Sequence, residues 1–527
     1  MASSARTSRG WSSRFTFLAT MGLLCALALS MTPPRGQRAS ASPGALPIPL
    51  APADFAVSVA LAGPSHLNQT HLGTNLTTPS EVLSATDPTH GSLLQAWSPA
   101  LVRLHLGFTG DEIGLPEMHQ GQWDFAQLDA AIARLRATHT PFFLNVRTAP
   151  SWMYDASGQL RDQTYQEFAA YMARLVGWYN AGGFTDEAGH FHASGHQGWV
   201  GTWEIWNEPN SGYDIPGPVS HRSATWLDAH RFARLYSVAA MAMRAVDPTI
   251  ATGGPAISAY PDDGYMINFI QGITAPLDFF SFHFYAIGNQ QTPDPAVFRA
   301  VAETFAHRLA FARVTLDARF PGKAIPIWVD EVGFNEIARY PVDPRGAAPV
   351  GIVFAADAFI TAAQHDVTQF TQFPFLGNAQ LALVDNQRFA PYVPLRFYEV
   401  LGQTFPPGVR LLRTTLAPPT GLVVLAALAP DGSSVRVLLA NTRAAQPTDV
   451  NGAGVAATVR ITFTNVAPGA GAHAGSVSNV WSFDATTDPA KRAQAHPVAV
   501  FTGSDGGLSV QVGLAGYGVS IIQLLLH

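Results

Sequence analysis

Between residues 53 and 406 the chain alternates strand-like with helix-like segments, and no other feature constrains its fold as tightly. Apolar, strand-forming runs fall at 55–61, 101–106, 141–146, 202–207, 250–253, 277–284, 325–329 and 367–375. Between them lie stretches of helical period. Phe125, Leu128, Ile132 and Leu135 share one face, as do Tyr165, Phe168, Met172 and Leu175. Further helices are predicted at 227–246, 297–320, 352–363 and 394–401, with a first one ahead of Trp97. Eight such units over about 350 residues predict a (β/α)8 TIM barrel, whose site is built at the C-terminal ends of the strands. A doubly wound open sheet competes with this reading, but no Gly-rich phosphate loop follows the first strand.

After Pro406 the pattern changes. Short β-rich runs at 421–428, 435–440, 455–463, 477–483, 498–502, 508–512 and 519–526 are separated by Gly, Pro, Asp and Ala turns. This predicts a β-sandwich over 407–527. Trp481 is its only tryptophan, against nine between Pro43 and Pro406. A sugar-reading module normally displays stacking aromatics, so a packing role is expected for the sandwich.

The N-terminus reads as a targeting segment. Arg6, Arg9 and Arg14 precede an apolar run from Phe15 to Met31, and Ala39-Ser40-Ala41 offers a small-residue cleavage site. Residues 1–41 are therefore expected to be a signal peptide and 42–52 a Pro- and Ala-rich linker, giving a secreted protein. An uncleaved membrane anchor is the alternative. No other segment is long and apolar enough to span a membrane. Cys25, the only cysteine, lies in the leader, so the mature chain would have no disulfide, thiol nucleophile or Cys-bound metal. The leader carries five arginines and no acid; without it 26 basic residues face 37 acidic ones. With only Lys323 and Lys491 as lysines, nucleic acid is excluded as a partner.

Two strand ends carry acids. Trp203-Glu204-Ile205-Trp206-Asn207-Glu208 stops at Pro209, with Trp199 and Tyr213 close in sequence, and Ile325-Pro326-Ile327-Trp328-Val329-Asp330-Glu331 is the second. Paired carboxylates on separate strand ends are the minimum equipment for hydrolysing a glycosidic bond. Glu208 is expected to be the general acid/base, with a pKa raised by burial or a nearby negative charge, and Glu331 the nucleophile. Their separation of about three βα units places them on strands 4 and 7, facing each other across the barrel at the short spacing of retaining enzymes. Strand alternation would send Asp330 to the opposite face from Glu331. Glu204, in the body of strand 4, needs a cation if it faces inward, and Arg103 on strand 2 is available.

Trp206-Asn207-Glu208-Pro209 resembles the signature of clan A glycoside hydrolases. Within that clan, the ordered set Val102-Arg103-Leu104-His105, Trp123-Asp124-Phe125, Gly253-Gly254-Pro255-Ala256 and Ser281-Phe282-His283-Phe284-Tyr285 is similar to glycoside hydrolase family 39, which includes β-xylosidases and α-L-iduronidases. The resemblance spans about residues 50–405 and the following β-rich segment in outline. It implies that Asn207 bonds the sugar 2-hydroxyl, that His283 and Tyr285 line the subsite near the nucleophile, and that His105 holds a hydroxyl of the terminal sugar. His105 reads equally well as a satisfied core residue. Arg103 and Trp152 complete the candidate substrate-binding set. No cofactor and no metal are required. The expected substrate is an oligosaccharide or polysaccharide, cleaved by an exo-acting, β-xylosidase-like enzyme. Arabinofuranosidase, glucuronidase or iduronidase, and endo-glycanase specificities are alternatives, as is a non-catalytic carbohydrate-binding surface protein.

The sequence departs from the family where Asp330-Glu331-Val332-Gly333 replaces the more usual Thr-Glu-Trp-Asn. It departs again where Asn145-Val146-Arg147 ends strand 3 in polar residues. Arg147 reads either as a partner for a substrate carboxylate or as a structural arginine, and the second is favoured because no lysine supports a carboxylate clamp. His190, His192 and His196, near Asp186 and Glu187, lie in a Gly-rich loop with no helix to set metal-ligand geometry. Asn68-Gln69-Thr70 and Asn75-Leu76-Thr77 match the N-glycosylation pattern.

Overall fold

The computed structural model describes residues 52–90, 93–107, 115–211, 226–259, 262–336, 342–465, 477–502 and 508–526. The segment expected to be a signal peptide, with Cys25, nearly all of the expected linker, and Tyr213 lie outside them. Among the described residues no helix is long and apolar enough to cross a membrane.

Eight parallel strands close into a barrel. They are β1 (His71–Leu76), β2 (Leu101–Leu106), β3 (Phe142–Val146), β4 (Thr202–Ile205), β5 (Ala251–Ile257), β6 (Phe279–Ile287), β7 (Ile327–Asn335) and β8 (Gln369–Gln372). The ring closes where β8 pairs with β1. Its floor is aromatic. The Trp328 and Phe279 rings stack at 3.7 Å and Phe143 meets Trp328 edge-on at 5.1 Å. Gly253 makes room for this plug, since a Cβ there would sit inside the Phe279 ring. With its lower end filled by rings, the barrel opens only at the C-terminal ends of the strands, where the polar residues gather.

Seven of the eight predicted strands belong to the barrel; the first does not. Phe55–Ala60, expected as strand 1, lies outside it, and His71–Leu76 takes its place. The reason is visible in burial. Phe55, Val57 and Val59 are buried while Ala56 and Ser58 are exposed, the alternation of a sheet wetted on one face. In His71–Leu76 every residue after the first is buried, as a barrel strand demands. The strand at 55–60 instead pairs in parallel with Ala457–Thr464 and antiparallel with Arg410–Leu416.

It thereby joins a ten-stranded sheet built mainly from the C-terminal segment, whose pairings return on themselves around a second apolar core. Phe55, Val57, Val59, Val437, Leu439, Ile461 and Phe463 are among its members. Helix Pro349–Gln364 lies between sheet and barrel. It is buried at every position from Val350 to Ala363, which explains a sequence apolar on all faces. Polar bonds cross the same junction: Asp294 accepts from the backbone of Asn451 and Gly452, and Arg396 donates to the Pro489 carbonyl.

The predicted sequons are not surface sites. Asn68 is buried and donates to the Phe405 carbonyl, and Asn75 points into the barrel. The His-rich segment is a hairpin, Ala181–Thr185 with Phe191–Gln197. Asp186 ties its turn, accepting from His192 and from two backbone amides, while His196 stacks on Trp199 at 3.7 Å. His190 also approaches Asp186 Oδ2, at 3.6 Å, so two of the three histidines face this carboxylate.

Candidate active site

Polar side chains rise from six strands into the mouth of the barrel, and Arg103 of β2 stands at their centre. Its Nε donates to Glu204 Oε2 at 2.7 Å, Nη1 to Glu331 Oε1 at 2.6 Å, and Nη2 to Asn207 Oδ1 at 2.7 Å. The guanidinium is wholly buried, and three surrounding carboxyls overcome its desolvation and hold it charged. The Arg103–Glu204 pair anticipated from sequence is thus present, but Arg103 also reaches the predicted nucleophile and the predicted sugar-binding amide. Glu204 is satisfied in full, since Asn145 Nδ2 and Ser281 Oγ donate to it as well. Despite its burial, Arg103 and these hydrogen bonds keep its pKa below the ordinary carboxylate value.

The backbone after β4 is strained. Trp206 and Glu208 adopt φ of 73° and 44°, a left-handed conformation that costs non-glycine residues about 1–3 kcal/mol each. Three bonds hold it. Trp206 N donates to the Val146 carbonyl at 2.8 Å, Asn145 Nδ2 to the Trp206 carbonyl at 2.7 Å, and Glu208 N to the Ala256 carbonyl at 2.9 Å. The turns lift Asn207 and Glu208 off the strand and toward the mouth.

On β7 a bulge does comparable work. Phe282 of β6 pairs with Val329 but His283 pairs with Glu331, so Asp330 is the extra residue. The bulge breaks the alternation expected here. Asp330 and Glu331 do not diverge: both face Arg103, at 3.5 and 2.6 Å. Asp330 is completely buried, and its pKa lies well above the usual range because of that burial and the adjacent Glu204.

Glu208 and Glu331 meet across the opening. Glu208 Oε1 is 2.6 Å from His283 Nδ1, and the Tyr285 hydroxyl donates to Glu331 Oε2 at 2.7 Å. One side-chain atom from each of Glu208, His283 and Glu331 lies within 4.8 Å of the other two. Burial raises the Glu208 pKa to about 7, against the opposing pull of Arg147, Arg103 and Arg308. Burial likewise lowers His283 to about 4, so the ring is neutral at ordinary pH.

The structure brings Arg103, Asn207, Glu208, His283, Tyr285 and Glu331 together. His105 belongs to the same network from below. It is fully buried, with Nε2 2.9 Å from Asn75 Oδ1 and 3.8 Å from Glu331 Oε1. Trp152 stands apart: its indole donates to the Glu117 carbonyl and Arg161 lies over its ring.

Sequence reasoning missed two residues. Asn75 was hidden by the wrong first strand; its amide donates to the Asp330 carbonyl at 2.9 Å. Arg308, from the helix after β6, holds the carbonyls of Ser258, Ala259 and His283, and only its burial reveals it. Arg147, favoured from sequence as a structural arginine, is buried two residues past inward-facing Asn145; burial lowers its pKa to about 10, and Glu208 and Glu331 oppose that shift.

A buried carboxyl near neutral pKa, an ion-paired carboxylate beside it and an arginine-held amide form the same constellation that strands 4 and 7 announce in the sequence. The likeness is to glycosyl hydrolases family 39. That family's model matches residues 190–371, which include Glu208, His283, Tyr285 and Glu331. A stretch of 92 residues is 37% identical to a β-xylosidase of Geobacillus stearothermophilus; it covers 16% of this chain and 16% of that relative. The GH39 enzyme from Xanthomonas axonopodis pv. citri superposes with a TM-score of 0.58 at 16% identity, covering 90% of this chain and 98% of that one. An α-L-arabinofuranosidase from Thermotoga maritima gives 0.62 at 14% identity, covering 90% and 100%. At such identities these two structures share the fold and nothing finer is drawn from them.

Proposed function

We propose that this protein is a secreted, retaining, exo-acting glycoside hydrolase with β-xylosidase-like specificity for short saccharides. The observation that carries this reading is the pairing of Glu208 and Glu331. One carboxyl oxygen of each lies within 4.8 Å of one of the other. Inverting enzymes hold their carboxyls about 6.5–9.5 Å apart to admit that water, whereas retaining enzymes use about 5–5.5 Å.

The two groups have different surroundings. Arg103 and Tyr285 each donate to one Glu331 oxygen, which suits a carboxylate that attacks the anomeric carbon. Glu208 keeps its proton up to about pH 7 and can give it to the departing oxygen. The resulting glycosyl ester is then cleaved by water, from which Glu208 takes back a proton. Asn207, fixed by Arg103, presents its amide to the sugar beside the nucleophile.

Charge balance supports a neutral sugar. Two guanidiniums, Arg103 and Arg147, meet two carboxylates, Glu204 and Glu331, while Arg308 is committed to backbone carbonyls. Among the described residues at the mouth, no surplus cation is left to hold a uronate. The β-xylosidase likeness favours a pentoside. Secretion rests on the arginine-led apolar leader and the absence of cysteine beyond it. A screen of aryl xylosides, arabinofuranosides, glucosides and uronides, with the first-formed anomer followed by NMR, tests the reading. Inversion of configuration, or turnover of none of them, would overturn it.

A further inference from the structure

His283 stands among three carboxyl groups. Its Nδ1 is 2.6 Å from Glu208 Oε1 and 3.4 Å from Glu331 Oε2, and its Nε2 is 3.7 Å from Asp330 Oδ1. The ring and Asp330 are fully buried, so no solvent competes for these contacts. Neither Asp330 oxygen receives a hydrogen bond from a described residue, and burial beside Glu204 favours the protonated carboxyl. Its natural acceptor is the Glu204 carboxylate. Arg103 Nη2 touches Glu204 Oε2 at 2.6 Å and Asp330 Oδ2 at 3.5 Å, which puts Oδ2 on the Glu204 side. Oδ1 is then a bare acceptor facing His283 Nε2. Its distance is half an ångström or so beyond hydrogen-bond length, and such contacts tighten when substrate fills a site.

We propose that Asp330 is a positioning residue that acts through His283: it accepts from Nε2–H and so leaves Nδ1 as the acceptor for the Glu208 hydroxyl. The chain runs Glu204 carboxylate, Asp330 hydroxyl, Asp330 carbonyl, His283 Nε2–H, His283 Nδ1, Glu208 hydroxyl. Each donor has an acceptor. Loss of the Glu208 proton would set a lone pair against a carboxylate at 2.6 Å, so the chain keeps the acid loaded until a leaving oxygen takes the proton. The logic matches that of a carboxylate fixing a histidine tautomer in a hydrolytic triad, with a neutral carboxyl in place of the anion. The bulge in β7 makes it possible, because regular alternation would have turned Asp330 away. The other charged groups facing this chain are Arg103, Arg147, Arg308 and Glu331. Of these, Arg147, Arg103 and Arg308 favour ionised Glu208, and the tautomer lock works against them.

The proposal rests on Glu208 being the acid, but one test of it does not. Nitrogen-15 NMR of histidine-labelled intact protein at pH 6 reads the tautomer directly, with His283 identified among the 17 histidines by its loss in His283→Gln. The proton is expected on Nε2 in the native protein and in Asp330→Asn, whose amide oxygen can face the ring while its NH2 serves Glu204. In Asp330→Ala the proton should move to Nδ1. A native His283 protonated on Nδ1 overturns the proposal. In kinetics, the basic limb of kcat/KM should fall by about one pH unit in Asp330→Ala and stay in place in Asp330→Asn. A merely structural residue would lower activity at every pH and leave the limb unmoved, which would also overturn it. If the intact protein hydrolyses no glycoside, the functional reading fails and the NMR result still decides the tautomer.

Discussion

Glu208→Gln should cost the protein its activity and raise its stability, and both effects follow from one buried carboxyl. Burial carries the Glu208 pKa from 4.5 to about 7. A folded-state pKa above the unfolded value means that the folded state binds the proton more tightly. The stability this contributes is complete below about pH 4.5 and is lost as pH rises through about 7. The loss amounts to about 3 kcal/mol, because each pH unit between the two values is worth about 1.4 kcal/mol. Glutamine has the shape of the protonated acid and never ionises. Relative to the native protein, the variant should gain little at pH 4 and up to about 3 kcal/mol at pH 8, read from urea midpoints at the two pH values. Activity should move the other way. In the native enzyme the basic limb of kcat/KM should fall near pH 7, with about a tenth remaining at pH 8. The variant should lose about 10²–10⁴ on alkyl glycosides and far less of the glycosylation step on dinitrophenyl glycosides, whose leaving group needs no proton. Equal destabilisation or equal stability at both pH values would refute the burial argument. Equal loss on both substrates would refute the acid role.

Three further outcomes are expected. Glu331→Gly should be inactive on every substrate, with azide restoring turnover of activated glycosides to a product of inverted configuration; rescue of Asp330→Ala instead would move the nucleophile to Asp330. Arg147→Met should shift the basic limb upward on all substrates, since Arg147 opposes the raised pKa of Glu208; a loss confined to uronides would show that it reads a sugar carboxylate. A fragment ending at Pro406 should be insoluble or unstable, because it strips the cover from helix Pro349–Gln364 and leaves Phe55, Val57 and Val59 without partners, at about 1.5–3 kcal/mol per side chain. A soluble fragment with native activity would contradict that.

The candidate catalytic pair was legible because Glu208 and Glu331 interrupt apolar runs at strand ends, where a barrel places its chemistry. The Arg103–Glu204 pair was legible because an inward acid needs a cation. What was hidden depends on pairing and not on pattern. A bulge at Asp330 leaves no mark in composition, so alternation sent that residue the wrong way. The strand at Phe55–Ala60 has the right period for a strand, but which sheet it joins is decided by partners some 400 residues away. Placing it in the barrel displaced His71–Leu76, and with it Asn75, which then passed for a glycan site. Arg308 reaches the site from a helix whose own pattern is ordinary.

That same strand has a consequence for the timing of assembly. Phe55 pairs with Val459 and Ala60 with Thr464. A ribosome adds about 5–20 residues per second, so roughly 20–80 s pass between emergence of the two partners. The barrel can close only once Gln369–Gln372 has emerged, and throughout the interval a short apolar strand ahead of it waits unpaired. The second core cannot be sealed until the last strands, Leu508–Leu514 and Val519–Leu525, have followed. Completion of the sheet therefore waits for residues as far as Leu525, and the waiting strand is the place where a chaperone would most usefully bind.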